Sequence, residues 1–446
     1  MIFVSGIFIF ASVPTLHLYM RYSIFILLFF WGISVVGSDR GDTLRFMVYN
    51  LLYYGINTGF CNSTNNNVDL KDKYLRSVVA YTDPDVLAVN EMGRGAHHAT
   101  RILEQVMNVV APDQYSHATY TNTKNTTITN MLFYRHDRLQ LYNEEVVSNE
   151  VRDINLYTLY YLDEWLEQGD TTFVTCIVAH LKAGSSGSDQ QRRLTEISNV
   201  MNYIAENDIR GNLMFMGDLN MKSSFEAAYG LLTFHPDETI RFYDPINKPG
   251  LWYNNPDFTA YHTQSTRTGS HPCFVTGGMD DRFDQILLSR SLMEGEKGLQ
   301  YAEGSYVTVG QDGKRLKGSL IYPPNHSAPD SIIHALYHIS DHLPVYLELA
   351  VNERPTFAYT PESEPAMVIA NPVTDILHVS FDQPMNGVHL KLFTLTGRQV
   401  LESYVRTVPA WWTIQVDMAH LPIGIYIVRL YDDHRFIRSE RVMKVR

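Results

Sequence analysis

From about Thr43 onward the apolar positions recur with two different periods, and the switches between them outline the elements. Leu44 to Leu51 is an apolar strand, Leu70 to Tyr81 has helical spacing, and Val86 to Asn90 is a second strand. Strand-like runs then follow one another at Ile128 to Tyr134, Leu139 to Val147, Asn155 to Leu162 and Phe173 to Leu181. A helix over Ser188 to Ala205, capped by Ser188 with Gln191 three positions on, precedes the strand Leu213 to Gly217. Gln285 to Ser289 and Val345 to Val351 are the last strands of this series. Runs of strands with helices between them predict two packed sheets with helices outside.

The pattern breaks near residue 352, and Arg354 to Pro365, with three prolines, reads as a linker. Beyond it Ile376 to Phe381, Val388 to Thr394, Gln399 to Val405, Trp412 to Val416 and Ile425 to Tyr431 are short strands with turn residues between, which predicts a small β-sandwich over residues 366–446. At the other end, residues 1–37 are apolar with Arg21 as their single charge, and the Pro-Thr-Leu-His stretch from Pro14 argues against one clean membrane span. From Met20, Arg21 supplies a positive start, Ile24 to Trp31 an apolar core and Val35-Val36-Gly37 a small-residue cleavage site, the layout of a secretory signal peptide, with a retained anchor as the alternative.

A chain of 446 residues has room for two or three such units, and 45% hydrophobic with 19% charged residues excludes disorder, collagen and coiled coil. The net charge of −12 is concentrated in the middle, where residues 38–364 carry 26 basic against 41 acidic side chains. Such a field repels polyanions at long range, so a nucleic-acid partner requires local Lys/Arg clusters or metal ions. Cys61, Cys176 and Cys273 are too few and scattered for a disulfide scaffold or a zinc site; at most one bridge forms, and its pairing is open.

Five motifs share one theme, a carboxylate, carboxamide or imidazole at the C-terminal end of an apolar strand or in the loop beyond it. They are Val48-Tyr49-Asn50, Val89-Asn90-Glu91, Val178-Ala179-His180, Gly217-Asp218-Leu219-Asn220 and Ser340-Asp341-His342. Loops at the carboxyl ends of strands converge on one rim of a sheet core. Asp218 and Asn220, two apart, can address one point. In Arg282-Phe283-Asp284, the carboxylate before an apolar strand can accept a histidine ring N–H and fix its tautomer. Taken singly, each also reads as a turn, a cap or a core polar group. His97-His98 has no metal-ligand spacing and reads as surface histidine, and the Asn-rich loop from Asn62 reads as a polar turn that also offers oxygens to Ca²⁺.

In order and character the set resembles the endonuclease/exonuclease/phosphatase superfamily of metal-dependent phosphoesterases, over residues 43–351. Departures are a long insertion from about Met293 to His338 and the polar loop around Asn62 to Asp69. The resemblance implies a four-layer α/β sandwich with two central mixed sheets, in a catalytic domain over 38–353. It implies Mg²⁺ or Mn²⁺ on Glu91, with Asn50 and Asp341 nearby. It further implies His342 as general base oriented by Asp284, Asp218 and Asn220 positioning the attacking water, and His180 donating to the phosphoryl or leaving oxygen. Arg94, three past Glu91, is a candidate for substrate binding.

Asn371-Pro372-Val373, Leu392 to Arg398 and Leu421 to Tyr426 resemble the C-terminal sorting domain of the type IX secretion system of Bacteroidetes, which implies that machinery as a partner and a secreted or cell-surface location. The expected activity is phosphodiester hydrolysis by a monomer, with nucleic acid as the first substrate; a phospholipid, a phosphate monoester, or an adhesion role with a vestigial site compete with it.

Overall fold

The computed structural model describes residues 42–352 and 367–445, apart from 164–165, 167–170, 383, 396–397, 411 and 433–434. The signal peptide expected over residues 1–37 and the linker expected over 354–365 lie outside the described residues. The chain divides into two compact units, Met1–Asn352 and Glu353–Arg446.

The first unit opens with β1 (Thr43–Tyr54), α1 (Val68–Thr82) and β2 (Val86–Gly93). α2 (Ala96–Ile102) runs through a π turn into the single turn α3 (Asn108–Val110), and β3 (Tyr115–His117), β4 (Ile128–Arg135), β5 (Leu139–Ser148), β6 (Ile154–Tyr161) and β7 (Phe173–His180) follow. After α4 (Gly187–Glu206) come β8 (Leu213–Asp218), α5 (Ala227–Thr233), β9 (Phe242–Tyr243), β10 (Asp284–Ser289) and α6 (Arg290–Glu294). The unit ends with β11 (Leu299–Tyr301), β12 (Val307–Thr308), α7 (Asp330–Ile339) and β13 (Val345–Val351).

One sheet has the order β11-β13-β1-β2-β4-β3, with β12 beside β13, and the other β5-β6-β7-β8-β10-β9. β1 and β2 pair in parallel, as do β7 and β8. Alternation along each strand separates two faces. Val178, Met214, Met216 and Ile286 join the first sheet in one buried cluster, while Ile177, Phe215 and Leu287 pack against Ile197, Val200 and Ile204 of α4. Leu75 and Val79 of α1 and Ile333 and Leu336 of α7 belong to the first sheet's cluster. The result is helices, sheet, sheet, helices: the four-layer sandwich expected.

Where the elements differ from expectation the reasons are local. The α4 cap is Ser186, not Ser188: Ser186 accepts Asp189 N–H, and the Asp189 carboxylate returns the bond in a capping box. β3, β9, β11 and β12 have two or three residues each, too few to show a period. The insertion expected from about Met293 to His338 holds most of α7, whose buried Ile332, Ile333, Leu336 and Ile339 form a helical stripe. His98 is not a surface residue; it packs buried against Tyr54 and beside Gly55.

The Cys61–Cys273 bridge settles the open pairing and leaves Cys176 free and buried. It spans 212 residues of sequence and ties together two loops of the same rim. Removing a native bridge typically costs about 2–5 kcal/mol, so Cys61→Ala is expected to lower the unfolding midpoint of the oxidised protein and to leave that of the reduced protein nearly unchanged, as calorimetry with and without reductant would show.

Glu196 on α4 is fully buried and accepts the Lys182 N–H, and burial pushes its pKa up to about 7. A carboxyl raised in the folded state favours folding at low pH, and that contribution is lost as pH rises from the unfolded value near 4.5 through about 7. Between those limits the wild type is expected to lose about 3 kcal/mol more stability than Glu196→Gln, read as the gap between two unfolding-against-pH curves. Parallel curves would refute it.

The second unit contains β14 (Met367–Ile369), β15 (Ile376–Phe381), β16 (Met385–Thr394), β17 (Gln399–Val408), β18 (Thr413–Asp417), β19 (Gly424–Asp432) and β20 (Arg435–Lys444). They form a sheet β14-β15-β18 and a sheet β17-β16-β19-β20 around Leu377, Val379, Leu390, Leu392, Val428 and Leu430. β14 and β20 extend the expected sandwich; the latter is dense in Arg and so lacks an apolar run. Among the described residues no helix is long and apolar enough to cross a membrane.

Candidate active site

Strand register assembles the site. His180, the last residue of β7, lies opposite Asp218, the last of β8, and Asp218 lies opposite Asp284, the first of β10. One row across the second sheet therefore carries an imidazole and two carboxylates. The β7–β8 approach is close: a Cβ on Gly217, at φ +147°, would lie 1.7 Å from the Ala179 carbonyl oxygen, so only glycine fits. In the first sheet Asn50 pairs with Asn90, and Glu91 follows in an irregularity of the β1–β2 ladder with φ +56°. Left-handed backbone at a non-glycine residue is strained, and Leu52, Tyr53 and Asn220 on the same rim share it.

Buried amides lock the rows together. Asn90 donates to Asn130 Oδ1 at 2.8 Å and accepts the Asp218 N–H at 2.9 Å, and Asn130 in turn donates to the Asp153 carbonyl. Asn50 Oδ1 accepts the Leu52 N–H, while its Nδ2 donates to Glu91 Oε1 at 3.1 Å and Asp218 Oδ2 at 3.0 Å. The side chain thus faces the carboxylates with nitrogen, where ligation of a metal by Asn50 would present oxygen. Beneath the turn, the buried Lys71 ammonium donates to the Leu51 and Leu52 carbonyls at 2.6 Å each. Asn66 holds the Tyr53 carbonyl, which leaves the Tyr53 N–H to donate to Glu91 Oε2.

Asp341 and His342 lie along the segment Thr263–Thr266: Thr266 N donates to the Asp341 carbonyl and Leu343 N to the Thr263 carbonyl. His342 Nδ1 is 2.7 Å from Asp284 Oδ2, and both residues are buried. His342 Nε2 faces Gln264 Nε2 at 2.7 Å and Asp218 Oδ2 at 3.9 Å. Burial disfavours charge on His342, but Asp284, Asp218 and Asp341 together outweigh it and raise its pKa well above the ordinary histidine value. The Gln264 amide can serve either form of the ring, its N–H meeting the bare nitrogen and its oxygen the imidazolium.

His180 is the counterpart across Asp218, with Nε2 at 3.4 Å from Asp218 Oδ2. Its Nδ1 lies 2.5 Å from the Arg152 guanidinium. Since arginine keeps its proton, Nδ1 must be the bare nitrogen and Nε2 carries the hydrogen; burial, with Arg152 and His342, lowers the pKa and keeps the ring neutral. Glu91, His180 and Asp218 place ligand atoms within 4.8 Å of one another, yet this tautomer makes His180 a donor, not a metal ligand.

The donor set left for a cation is oxygen. Burial raises the pKa of Glu91, with the charge of Asp341 adding to it, and burial likewise raises Asp218. Asp341 is 1% exposed; its Oδ2 accepts the Val275 N–H, and its Oδ1 has no partner. A buried, orphaned carboxylate oxygen beside two crowded carboxylates is costly alone and is relieved by a hard divalent cation, so these residues fit Mg²⁺ or Mn²⁺. In the Asn62 loop the side-chain oxygens of Asn62, Asn65 and Asn67 accept backbone N–H groups of their own turn, while Asn66 Oδ1 is buried without a hydrogen-bond partner.

Glu91, His180, Asp218, Gln264, Asp341 and His342 line one cavity of about 470 Å³, together with Asn220, Lys222, Asp281 and Phe60. Arg94 does not line it; the side chain is exposed and donates to Asn125. Sequence reasoning missed Gln264, Arg152 and Lys71. A cation two residues before β6 was the available signal for Arg152.

Residues 368–444 match the family model described as the Secretion system C-terminal sorting domain. The C-terminal unit carries that family's pattern. No curated protein matches the chain. Among solved structures, an endonuclease/exonuclease/phosphatase family protein from Bacteroides thetaiotaomicron is similar at 14% identity, over 70% of this chain and 99% of that one, with a TM-score of 0.43. An endonuclease/exonuclease/phosphatase from Beutenbergia cavernae is similar at 14% identity, over 90% and 99%, with a TM-score of 0.41. The mannosyl-6-phosphatase of Bacteroides thetaiotaomicron is similar at 13% identity, over 69% and 99%, with a TM-score of 0.43.

Proposed function

We propose that this chain is an exported, metal-assisted phosphoester hydrolase, addressed to the type IX secretion machinery by its C-terminal unit. The observation that carries the reading is the pair of imidazoles on either side of Asp218, one with Nδ1 held by Asp284 and the other with Nδ1 facing Arg152. The two rings are thereby prepared for opposite tasks.

Glu91, Asp341 and Asp218 would hold Mg²⁺ or Mn²⁺, which when bound supplies charge neutralisation to the phosphoryl oxygens. Asp284 orients His342 so that its Nε2 faces the cavity, and the ring in its neutral form, which a cation held by Asp218 and Asp341 would favour by offsetting the charges that raise its pKa, takes the proton of the attacking water. Asp218 and Asn220 position that water; Asn220 is itself fixed by donating to the Leu181 carbonyl. As the water oxygen bonds to phosphorus, the ester P–O bond breaks. The His180 Nε2–H stabilises the departing oxygen, which takes its proton from solvent.

Nucleic acid as substrate draws little support from charge. Among the described residues lining the cavity Lys222 is the cation, and it faces Asp281 at 3.8 Å. A polyanion tracking across the site needs several unpaired Lys or Arg contacts. The test is release of 4-nitrophenol from bis(4-nitrophenyl) phosphate by the full chain in Mg²⁺, beside plasmid nicking, EDTA and His342→Ala controls. Metal-dependent release lost in both controls supports the reading, nicking would add the nuclease branch, and no release from any ester would overturn it.

A further inference from the structure

The turn after Asn50 connects α1 to the carboxylates, and the connection runs through two peptide planes. Lys71 on α1 is buried, although Lys73 two positions on is exposed. Its ammonium meets no carboxylate within 4 Å among the described residues; it donates to the Leu51 and Leu52 carbonyls. Burying an ammonium without a contacting counter-ion is costly, and what offsets that cost lies on the far side of the two peptides it holds. In a trans peptide the carbonyl and the following N–H point in opposite directions. Opposite the Leu51 carbonyl is the Leu52 N–H, which donates to Asn50 Oδ1 at 2.9 Å. Opposite the Leu52 carbonyl is the Tyr53 N–H, which donates to Glu91 Oε2 at 3.2 Å. The lysine therefore grips, from behind, the two peptides whose N–H groups face the site.

The turn needs such a grip. Leu52 and Tyr53 stand at φ +46° and +49°, a left-handed backbone that neither residue favours. Asn66 donates to the Leu52 and Tyr53 carbonyls, but among the described residues Lys71 is the one side chain that reaches the Leu51 carbonyl. We propose that Lys71 is a positioning residue of the cation site: by holding the Leu51 and Leu52 carbonyls it aims two N–H donors at Asn50 and Glu91, and so fixes the Glu91 carboxylate for Mg²⁺ or Mn²⁺. The inference rests on the reading of Glu91 as a cation ligand. A lysine serves this role in either protonation state, since the neutral amine keeps two hydrogens for two carbonyls. Its charge acts in the opposite sense, because an ammonium close to the site repels a second cation. Geometry and charge thus predict opposite consequences of removing it.

The test is isothermal titration of Mg²⁺ into the metal-free full chain, beside hydrolysis of bis(4-nitrophenyl) phosphate over a range of Mg²⁺ concentrations. Lys71→Met keeps the unbranched stem and removes the donors. It is expected to raise the Mg²⁺ Kd about tenfold, the lower end of what loss of an outer support of a metal ligand costs. The Mg²⁺ concentration for half-maximal hydrolysis should rise in step, with a smaller fall in kcat at saturating Mg²⁺. Loss of charge alone would tighten Mg²⁺ binding, and loss of packing alone would lower the metal-free unfolding midpoint without moving Kd. Tyr53→Gly added to Lys71→Met should recover part of the affinity, because glycine takes the left-handed conformation freely; no recovery would place the effect outside the turn and overturn the proposal. Should Lys71→Met not fold, Lys71→Gln, which drops the charge and keeps a donor for one carbonyl, carries the same expectation, and failure of both to fold would make Lys71 structural. An unchanged or lower Kd in a folded variant overturns the positioning role and leaves the phosphoester reading standing. A wild type that binds no Mg²⁺ overturns both.

Discussion

His342→Ala is expected to lower kcat for Mg²⁺-dependent phosphoester hydrolysis by about 10²–10⁴-fold, the range that a positioned general base contributes. The expectation rests on placement. The ring is buried, its Nδ1 is fixed 2.7 Å from Asp284, and its Nε2 is the nitrogen that faces the cavity. Asp284→Asn should fall in the same range, because an amide can donate to Nδ1 and turn the ring to the tautomer whose Nε2 carries hydrogen. The two losses should not add, since both remove one function. Steady-state kinetics of the two single variants and the double variant decide it, with unfolding midpoints recorded beside them. A His342→Ala enzyme within tenfold of wild type would remove His342 from the chemistry.

Why this pair was legible in the sequence, and its surroundings were not, has a physical reason. Asn50, Glu91, His180 and Asp218 each end or follow an apolar run, and in paired strands run and residue together fix a place on the rim. Asp284 begins such a run. Gln264 lies in the irregular stretch between β9 and β10, where no period links residue to position, although it touches His342. Lys71 has the spacing of any helix-surface lysine, but the left-handed turn at Leu52 and Tyr53 turns two carbonyls onto it. Burial lowers its pKa to about 7, against the pull of Asp341 and Glu91. Arg94 illustrates the converse error. Three positions beyond Glu91 the chain has left β2, and nearness in sequence no longer meant nearness to the cavity.

Glu91→Gln should have effects of opposite sign with and without metal. In the metal-free protein the Glu91 side chain is 12% exposed, and its pKa is raised first by desolvation and then by the Asp341 charge. Removing its charge relieves that repulsion, which offsets the loss of one hydrogen bond, since the amide oxygen can accept from only one of the Asn50 and Tyr53 donors that reach the two separate carboxylate oxygens. The variant in EDTA is therefore expected to unfold at the same or a higher temperature than wild type. With Mg²⁺ the order reverses. A cation held by the folded state at a hundred times its Kd stabilises wild type by roughly 2.7 kcal/mol, and a neutral amide in place of the main anionic oxygen weakens that hold, so the Mg²⁺-induced shift in midpoint should largely disappear while kcat falls. Differential scanning calorimetry across a Mg²⁺ titration reads the shift without reference to any substrate. Equal shifts in wild type and Glu91→Gln would place the cation elsewhere. A variant that is already less stable in EDTA would show that Glu91 supports the fold through its hydrogen bonds, not that it is a carboxylate waiting for a cation.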